Sequence, residues 1–269
     1  MIKKNNIFSA VTTFDVKKHF FSKDMVNSFI ENWPENVNLL IFMENSHLIN
    51  IENFSKKVQI LDYHKHIPEY EVFCKKFHHK KQFTDDFRYN VFRFAYKVYA
   101  IKKSFSYIKA NNLIWLDADI KTHKKIPSTF LEKLISDEHY LSYLGRSHIK
   151  AVHLNYSECG FLIFNTKHPL HSLFWKEMML MYDNGALFEL SEWHDSYIFD
   201  HVRKKLEKKY LLKNINITDF GIVDIESEND DHVFVLSVLG EFMDHKKGER
   251  KDIKWSPELL KRIKNDRKI

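Results

Sequence analysis

Glycine, proline and cysteine are scarce in this chain, with six, five and two residues in 269. So little glycine and proline excludes collagen-like and Gly/Pro-rich low-complexity classes, and it makes each glycine that is present more informative. Two cysteines, Cys74 and Cys159, cannot build a disulfide framework or a cysteine-only zinc site, and they fit a reducing, cytoplasmic setting. Long apolar runs are missing as well. A stretch such as Val233 to Leu239 is strand-sized, far short of the roughly 18 residues that a membrane-spanning helix needs. Lys3 and Lys4 precede an apolar stretch that is broken by Thr12 and Thr13 and ends at Asp15, too short and polar for a secretory signal. No Pro/Gly/Ser-rich linker or repeat divides the chain, so one domain is expected over 1–269.

What is present is ample core material: 44% hydrophobic and 15% aromatic residues, which excludes disordered and fibrous classes. Lysine, asparagine, isoleucine and phenylalanine are abundant throughout, so lysine runs and phenylalanine clusters are weak evidence for any function. The formal charge of +6 is concentrated in residues 246–269, where ten Lys or Arg face four Asp or Glu. A basic tail after a neutral body is attracted to anionic surfaces: phosphorylated substrates, acidic lipid headgroups or nucleic acid. Nothing in the tail interleaves aromatic with basic residues as a stacking platform does. Nucleic acid is therefore not expected, whereas peripheral contact of 252–269 with an anionic membrane stands beside the plainer reading of a solvated helix from Pro257 onward.

Ile7 to Phe14, Val37 to Met43 and Val58 to Tyr63 read as strands, with Phe20 to Asn32 as a helix between the first two. That alternation marks a mostly parallel sheet flanked by helices, an α/β fold. Phe87, Val91, Phe94, Val98, Ile101, Phe105 and Ile108 recur at helical spacing and predict the buried stripe of a long helix. Leu113 to Asp119 is an apolar strand ending in two carboxylates, and Ile126-Pro127 precedes a short helix. The second half is more mixed, with strands expected at Tyr140 to Leu144, Val152 to Leu154 and Gly160 to Asn165. Helices are expected at Pro169 to Asp183 and Trp193 to Lys209.

Chemistry concentrates at two places. Asp117-Ala118-Asp119 follows four apolar residues, so a period of two sets both carboxylates on one side at the strand's carboxyl edge, where open α/β sheets bind ligands. Two such oxygen donors repel each other unless a cation lies between them, and they suit Mg²⁺ or Mn²⁺ bridging a diphosphate. Late in the chain, His245-Lys246-Lys247-Gly248-Glu249-Arg250-Lys251 offers an imidazole for a borderline metal, a glycine that lets backbone approach a phosphate, and a lysine to neutralise it. Taken singly, the first motif also suits a turn cap and the second an ordinary basic loop.

Together these stretches resemble a nucleotide-sugar-dependent glycosyltransferase of the GT-A fold, in particular the layout of glycosyltransferase family eight and its relatives. The matching pieces are Leu116 to Asp119, Glu158 to Asn165, Trp193 to Asp200 and His245 to Lys251, in that order over about residues 7–251. The resemblance implies a GT-A-like domain with a nucleotide-sugar-binding half near 1–120, an acceptor half near 121–251 and the basic tail after it. It implies a nucleoside-diphosphate sugar as donor and a glycan or lipid-linked hydroxyl as acceptor. Asp119 and His245 would hold Mn²⁺ or Mg²⁺, Asp117 would join them or face the donor's ribose or sugar, and Lys251 would face the diphosphate. Two stretches depart from the layout: Asp252-Ile253-Lys254-Trp255 stands where Pro-Trp usually closes the late motif, and Glu158-Cys159 precedes Gly160.

Such a fold also points Thr12 and Thr13, at the end of the first strand, and Asp62, on the third, at the base and ribose. Arg88, Arg93 and Lys97 lie off the apolar stripe of the long helix. Arg93 and Lys97 share a face suited to a phosphate or to solvent, and Arg93 is the favoured member. Asp195, after His194 at a helix start, and Glu158 compete as the group that orients or deprotonates the acceptor hydroxyl. Two other readings remain open on sequence: a metal phosphohydrolase using His194-Asp195, and a catalytically silent glycan-binding domain.

Overall fold

The computed structural model describes residues 8–17, 22–48, 55–81, 85–146, 156–223 and 233–266. In chain order its elements are β1 (Phe8–Asp15), α1 (Ser22–Asn32), β2 (Asn38–Glu44), β3 (Val58–Asp62), α2 (Tyr63–His66), α3 (Pro68–Phe77) and α4 (Val91–Ser104). Then come β4 (Asn112–Leu116), β5 (Ile120–Thr122), α5 (Ser128–Lys133), β6 (Leu141–Leu144), β7 (Glu158–Asn165), α6 (His171–Asp183) and α7 (Asp195–Tyr210). The last are β8 (Ile215–Asn216), α8 (Val233–Leu236), β9 (Met243–His245) and α9 (Pro257–Asp266).

Seven strands form one sheet in the order β3-β2-β1-β4-β7-β6-β8, and β5 and β9 form a separate ribbon. β1, β2, β3 and β4 run parallel, β7 runs antiparallel to β4 and to β6, and β8 is parallel to β6. The expected mostly parallel α/β sheet is therefore present, with its mixed edge in the second half. Parallel strands covered on both faces read as continuous apolar runs. β4 shows this: Leu113 and Trp115 enter the core shared with α4, α6 and α7, while Ile114 and Leu116 enter the opposite one with α1 and α8. β1 lies between β2 and β4, so the strand order reverses beside it. That is the switch point where sheets of this kind leave a crevice at their carboxyl edge.

Several expectations change in detail. The long helix is shorter than its stripe: Phe87–Tyr89 is a separate 3₁₀ turn and Asn90 caps α4 by accepting a hydrogen bond from the Arg93 N–H. Phe87 is 49% exposed, while Ala95, Tyr99 and Ala100 are buried beside Val91, Val98 and Ile101. The helix thus buries a broader face than the seven-residue stripe. Part of the strand-sized run Val233 to Leu239 coils into α8, and Ser237 caps the following 3₁₀ turn through its hydroxyl. Val152 to Leu154 lies outside the described residues, as do Ile7 and Phe20 at the edges of their elements. No helix among the described residues is long and apolar enough to cross a membrane.

Candidate active site

β4 ends at Leu116, and the Asp117 N–H continues its pairing by donating to the Gly160 carbonyl at 2.9 Å. A tight turn follows, closed by the Ile120 N–H on the Asp117 carbonyl at 3.1 Å. The two carboxylates converge because of this turn, not because of strand alternation. β5 then pairs with β9 so that Ile120 faces His245, and the Lys246 N–H reaches the Asp119 carbonyl at 3.0 Å. The ribbon delivers His245 Nε2 to 3.0 Å from Asp119 Oδ1 and 3.7 Å from Asp117 Oδ2. One donor atom from each of Asp117, Asp119 and His245 lies within 4.8 Å of the others. Ligands of one ion with bonds of ~2.1–2.2 Å stand up to ~4.4 Å apart, so the span is near what a shared ion requires. Two carboxylates and an imidazole suit Mg²⁺ or Mn²⁺, and the donor set fits that expectation.

Each carboxylate is held from behind. Asp117 Oδ1 accepts from Trp115 Nε1 at 2.7 Å and from Lys97 Nζ at 3.0 Å. Lys97 also donates to the Cys159 carbonyl at 2.6 Å and pairs with Asp195 Oδ2 at 2.8 Å. Burial opposes the Lys97 ammonium, but Asp117 and Asp195 outweigh it and raise its pKa above that of an ordinary lysine. Burial likewise opposes ionisation of Asp195 and Asp119. Lys97 overrides it at Asp195, and His245 with Lys251 overrides it at Asp119, so both carboxyls sit below the usual range. Lys251 Nζ lies 3.2 Å from Asp119 Oδ2. On its far side a cleft of about 260 Å³ is lined by Lys121, Lys246, Lys251, Lys254 and Asp24, among others.

Glu158 opens β7 with 5% exposure. It accepts from Arg146 Nη2 at 3.0 Å, from Lys247 Nζ and from the Gly160 N–H at 3.2 Å. Four carboxylates (Asp117, Asp119, Glu158, Asp195) thus interlock with four cationic side chains (Lys97, Arg146, Lys247, Lys251).

The remaining expected residues are placed as follows. Thr12 is fully buried in β1, and Thr13 donates its hydroxyl to the Phe42 carbonyl at 2.7 Å. Asp62 caps α2, accepting from the Lys65 N–H at 2.9 Å and from Ser46 Oγ at 3.2 Å, a structural use that sequence did not suggest. Arg93 is exposed over the Phe94 ring, and its helix neighbour Lys97 is the member of the pair that reaches the carboxylates. The dipeptide His194-Asp195 holds no metal cluster among the described residues. His194 is buried, its Nε2 faces Glu192 Oε2 at 2.8 Å and its Nδ1 caps α7. Sequence reasoning missed Trp115, Arg146 and Lys247. Asp15, at the end of β1, is buried and accepts from Asn45 Nδ2 at 2.8 Å.

No protein-family model and no curated protein matches the sequence. Solved structures do match the fold. The galactosyltransferase LgtC, solved with donor and acceptor sugar analogues, aligns with a TM-score of 0.53 at 13% identity over 90% of this chain and 87% of that one. An active-site mutant of LgtC aligns at 0.57, again at 13% identity, over 96% and 95%. The bifunctional glycosyltransferase WbbM aligns at 0.51 and 14% identity over 91% of this chain, which spans only 46% of WbbM. The apo-form glycosyltransferase GlyE of Streptococcus pneumoniae aligns at 0.50 and 12% over 97% of this chain, which spans 64% of GlyE. The chain thus has the GT-A fold of these proteins.

Proposed function

We propose that the protein is a metal-dependent glycosyltransferase that moves a sugar from a nucleoside-diphosphate sugar to a hydroxyl of a glycan or lipid-linked acceptor. The observation that carries this reading is the convergence of Asp117, Asp119 and His245 at the carboxyl edge of a GT-A sheet. The interlocked side chains add a second argument. Burial and the neighbouring Arg146 push the Lys247 ammonium down to about 7, so the basic side chains do not outweigh the four carboxylates they meet and a divalent ion facing a diphosphate suits the cluster.

In this reading Asp119 and His245, joined by Asp117, hold Mn²⁺ or Mg²⁺, which offsets charge developing on the departing nucleoside diphosphate. Lys251 binds a phosphate oxygen beside the basic cleft, and Asp15 and Thr13 edge the nucleoside position at the end of β1. Lys97 holds Asp117 and Asp195 in place, and it keeps Asp195 ionised. Asp195, below the usual carboxylate range and held by Lys97, is a weak proton acceptor, so its role is to orient sugar or acceptor hydroxyls. The exposed lysines of the tail draw the protein to anionic membrane surfaces where lipid-linked acceptors reside.

The test is thermal stability with a panel of nucleotide sugars, with and without Mn²⁺, on the wild type and on Asp119→Asn. A ligand that binds only the folded state raises the melting temperature by mass action. Metal-dependent stabilisation by one donor, lost in Asp119→Asn, is expected. No shift with any donor at millimolar concentration refutes the reading.

A further inference from the structure

We propose that Glu158 is a positioning residue for His245: its carboxylate faces Nδ1 so that Nε2 is presented to Asp117 and Asp119, with Gly160 as the surface on which the ring rests. This inference depends on the metal site of the proposed function. His245 is 2% exposed, and its two ring nitrogens face different carboxylates. Nε2 looks to Asp119 at 3.0 Å and Asp117 at 3.7 Å, while Nδ1 lies 3.6 Å from Glu158 Oε1. A histidine that ligates a metal through one nitrogen characteristically turns the other N–H to a carboxylate or carbonyl, which fixes the tautomer and makes the ligand more basic.

The ring's plane is set by its neighbours. A Cβ added to Gly160 would stand 2.4 Å from His245 Cε1 and 2.8 Å from Nδ1, so only glycine allows the imidazole this seat. The Phe234 ring contacts the imidazole at 5.3 Å between centroids and 66° between planes. Arg146 and Lys247 offset the buried charge of Glu158, and the Gly160 N–H holds Oε1 toward the ring. With both oxygens engaged and almost no exposure, the carboxylate is poorly placed to take a proton from an acceptor hydroxyl. Glu158 and Gly160 therefore act together on one histidine, and Glu158 is one of the two residues by which this motif departs from the layout the rest of the chain resembles.

The experiment is a Mn²⁺ titration without donor or acceptor, following the free ion by electron paramagnetic resonance. It compares wild type, Asp119→Asn, Glu158→Gln, Glu158→Asp and Gly160→Ala, with folding checked by circular dichroism. Glu158→Gln and Gly160→Ala should each weaken Mn²⁺ binding by about tenfold or more. Glu158→Asp keeps the charge but withdraws it from the ring, and it should remain weak. If Glu158→Gln does not fold, the other two variants carry the test. Wild-type affinity in Glu158→Gln or Gly160→Ala overturns the proposal and leaves the metal site intact. Wild-type affinity in Glu158→Asp alone does so too, because charge at a distance would then suffice. A wild type that binds no Mn²⁺, or Asp119→Asn that binds it normally, removes the metal site and this inference with it.

Discussion

Trp115 decides where Asp117 points. Its indole N–H donates to Asp117 Oδ1 at 2.7 Å while its ring is 2% exposed in the core beneath the site. Trp115→Phe retains an aromatic filler but removes the donor. A lost hydrogen bond to a charged group costs about 1.5–3 kcal/mol, and the smaller ring adds to it. A fall in melting temperature should accompany a weakening of metal-dependent donor binding by about an order of magnitude, both read from the same thermal-shift titration. Lys97 and Arg93 separate more sharply. Lys97→Met leaves the buried Asp195 and the partly exposed Asp117 without their shared cation, an effect of about 3–5 kcal/mol from the broken buried pair with Asp195, and donor binding should be lost. Arg93→Ala removes an exposed side chain and should stay within about 0.5 kcal/mol of wild type with binding intact. Equal effects of the two variants in urea titrations would contradict this assignment.

At the scale of elements, the three-residue strand β9 governs the site and α9 holds it in place. Alternation along β9 turns His245 toward Asp119 and Asp244 the other way, where its buried carboxylate accepts from the Ser256 N–H and hydroxyl, both at 2.7 Å. Ser256 in turn accepts from the Leu259 N–H in the first turn of α9, and Arg262 donates to the Val235 carbonyl at 2.6 Å and to that of Ser237. The C-terminal helix is thus a strut, and removing 257–269 should lower the melting temperature and abolish metal-dependent stabilisation together. Loss of neither would refute the strut. Gly240→Ala should act on the same joint, because an added Cβ would stand 1.9 Å from the Val235 carbonyl oxygen. These links show what sequence could and could not deliver. β1, β2, β4 and β7 were legible because each carries a mostly apolar stretch within its five to eight residues, and Asp117, Asp119 and His245 were legible as chemistry. The pairing of β5 with β9 was not, since three residues carry no periodicity. Lys97 was passed over for Arg93 because helical spacing gives two neighbours the same face without saying which end of it meets the sheet. The cap made by Asp62 was not legible, because a carboxylate at a strand end serves a helix cap as readily as a ligand.

For the molecule as a whole, the basic tail is less basic than its sequence. The +6 excess lies in 246–269, yet Lys246 and Arg262 are buried, the latter bonded to backbone carbonyls. Lys251 meanwhile belongs to the acidic cluster. Lys254, Lys261 and Lys264 are exposed on or beside α9, with Leu260 exposed among them at 45%. Each lysine near an anionic leaflet contributes about 1 kcal/mol, so three supply about 3 kcal/mol, roughly a hundredfold preference for anionic over neutral vesicles at low salt. That attraction is screened beyond about 8 Å at 0.15 M ionic strength, and one apolar side chain is too little to anchor the protein by itself. Sedimentation with anionic vesicles should show binding at low salt, falling steeply by physiological salt and absent on neutral vesicles. Replacing Lys261 and Lys264 together by Gln should weaken it by about tenfold or more while metal-dependent donor stabilisation stays at the wild-type level, because neither lines the cleft beside Lys251. Vesicle binding unchanged by the double replacement would move the contact elsewhere, and loss of donor stabilisation in the same variant would tie the tail to the nucleotide site instead of the membrane.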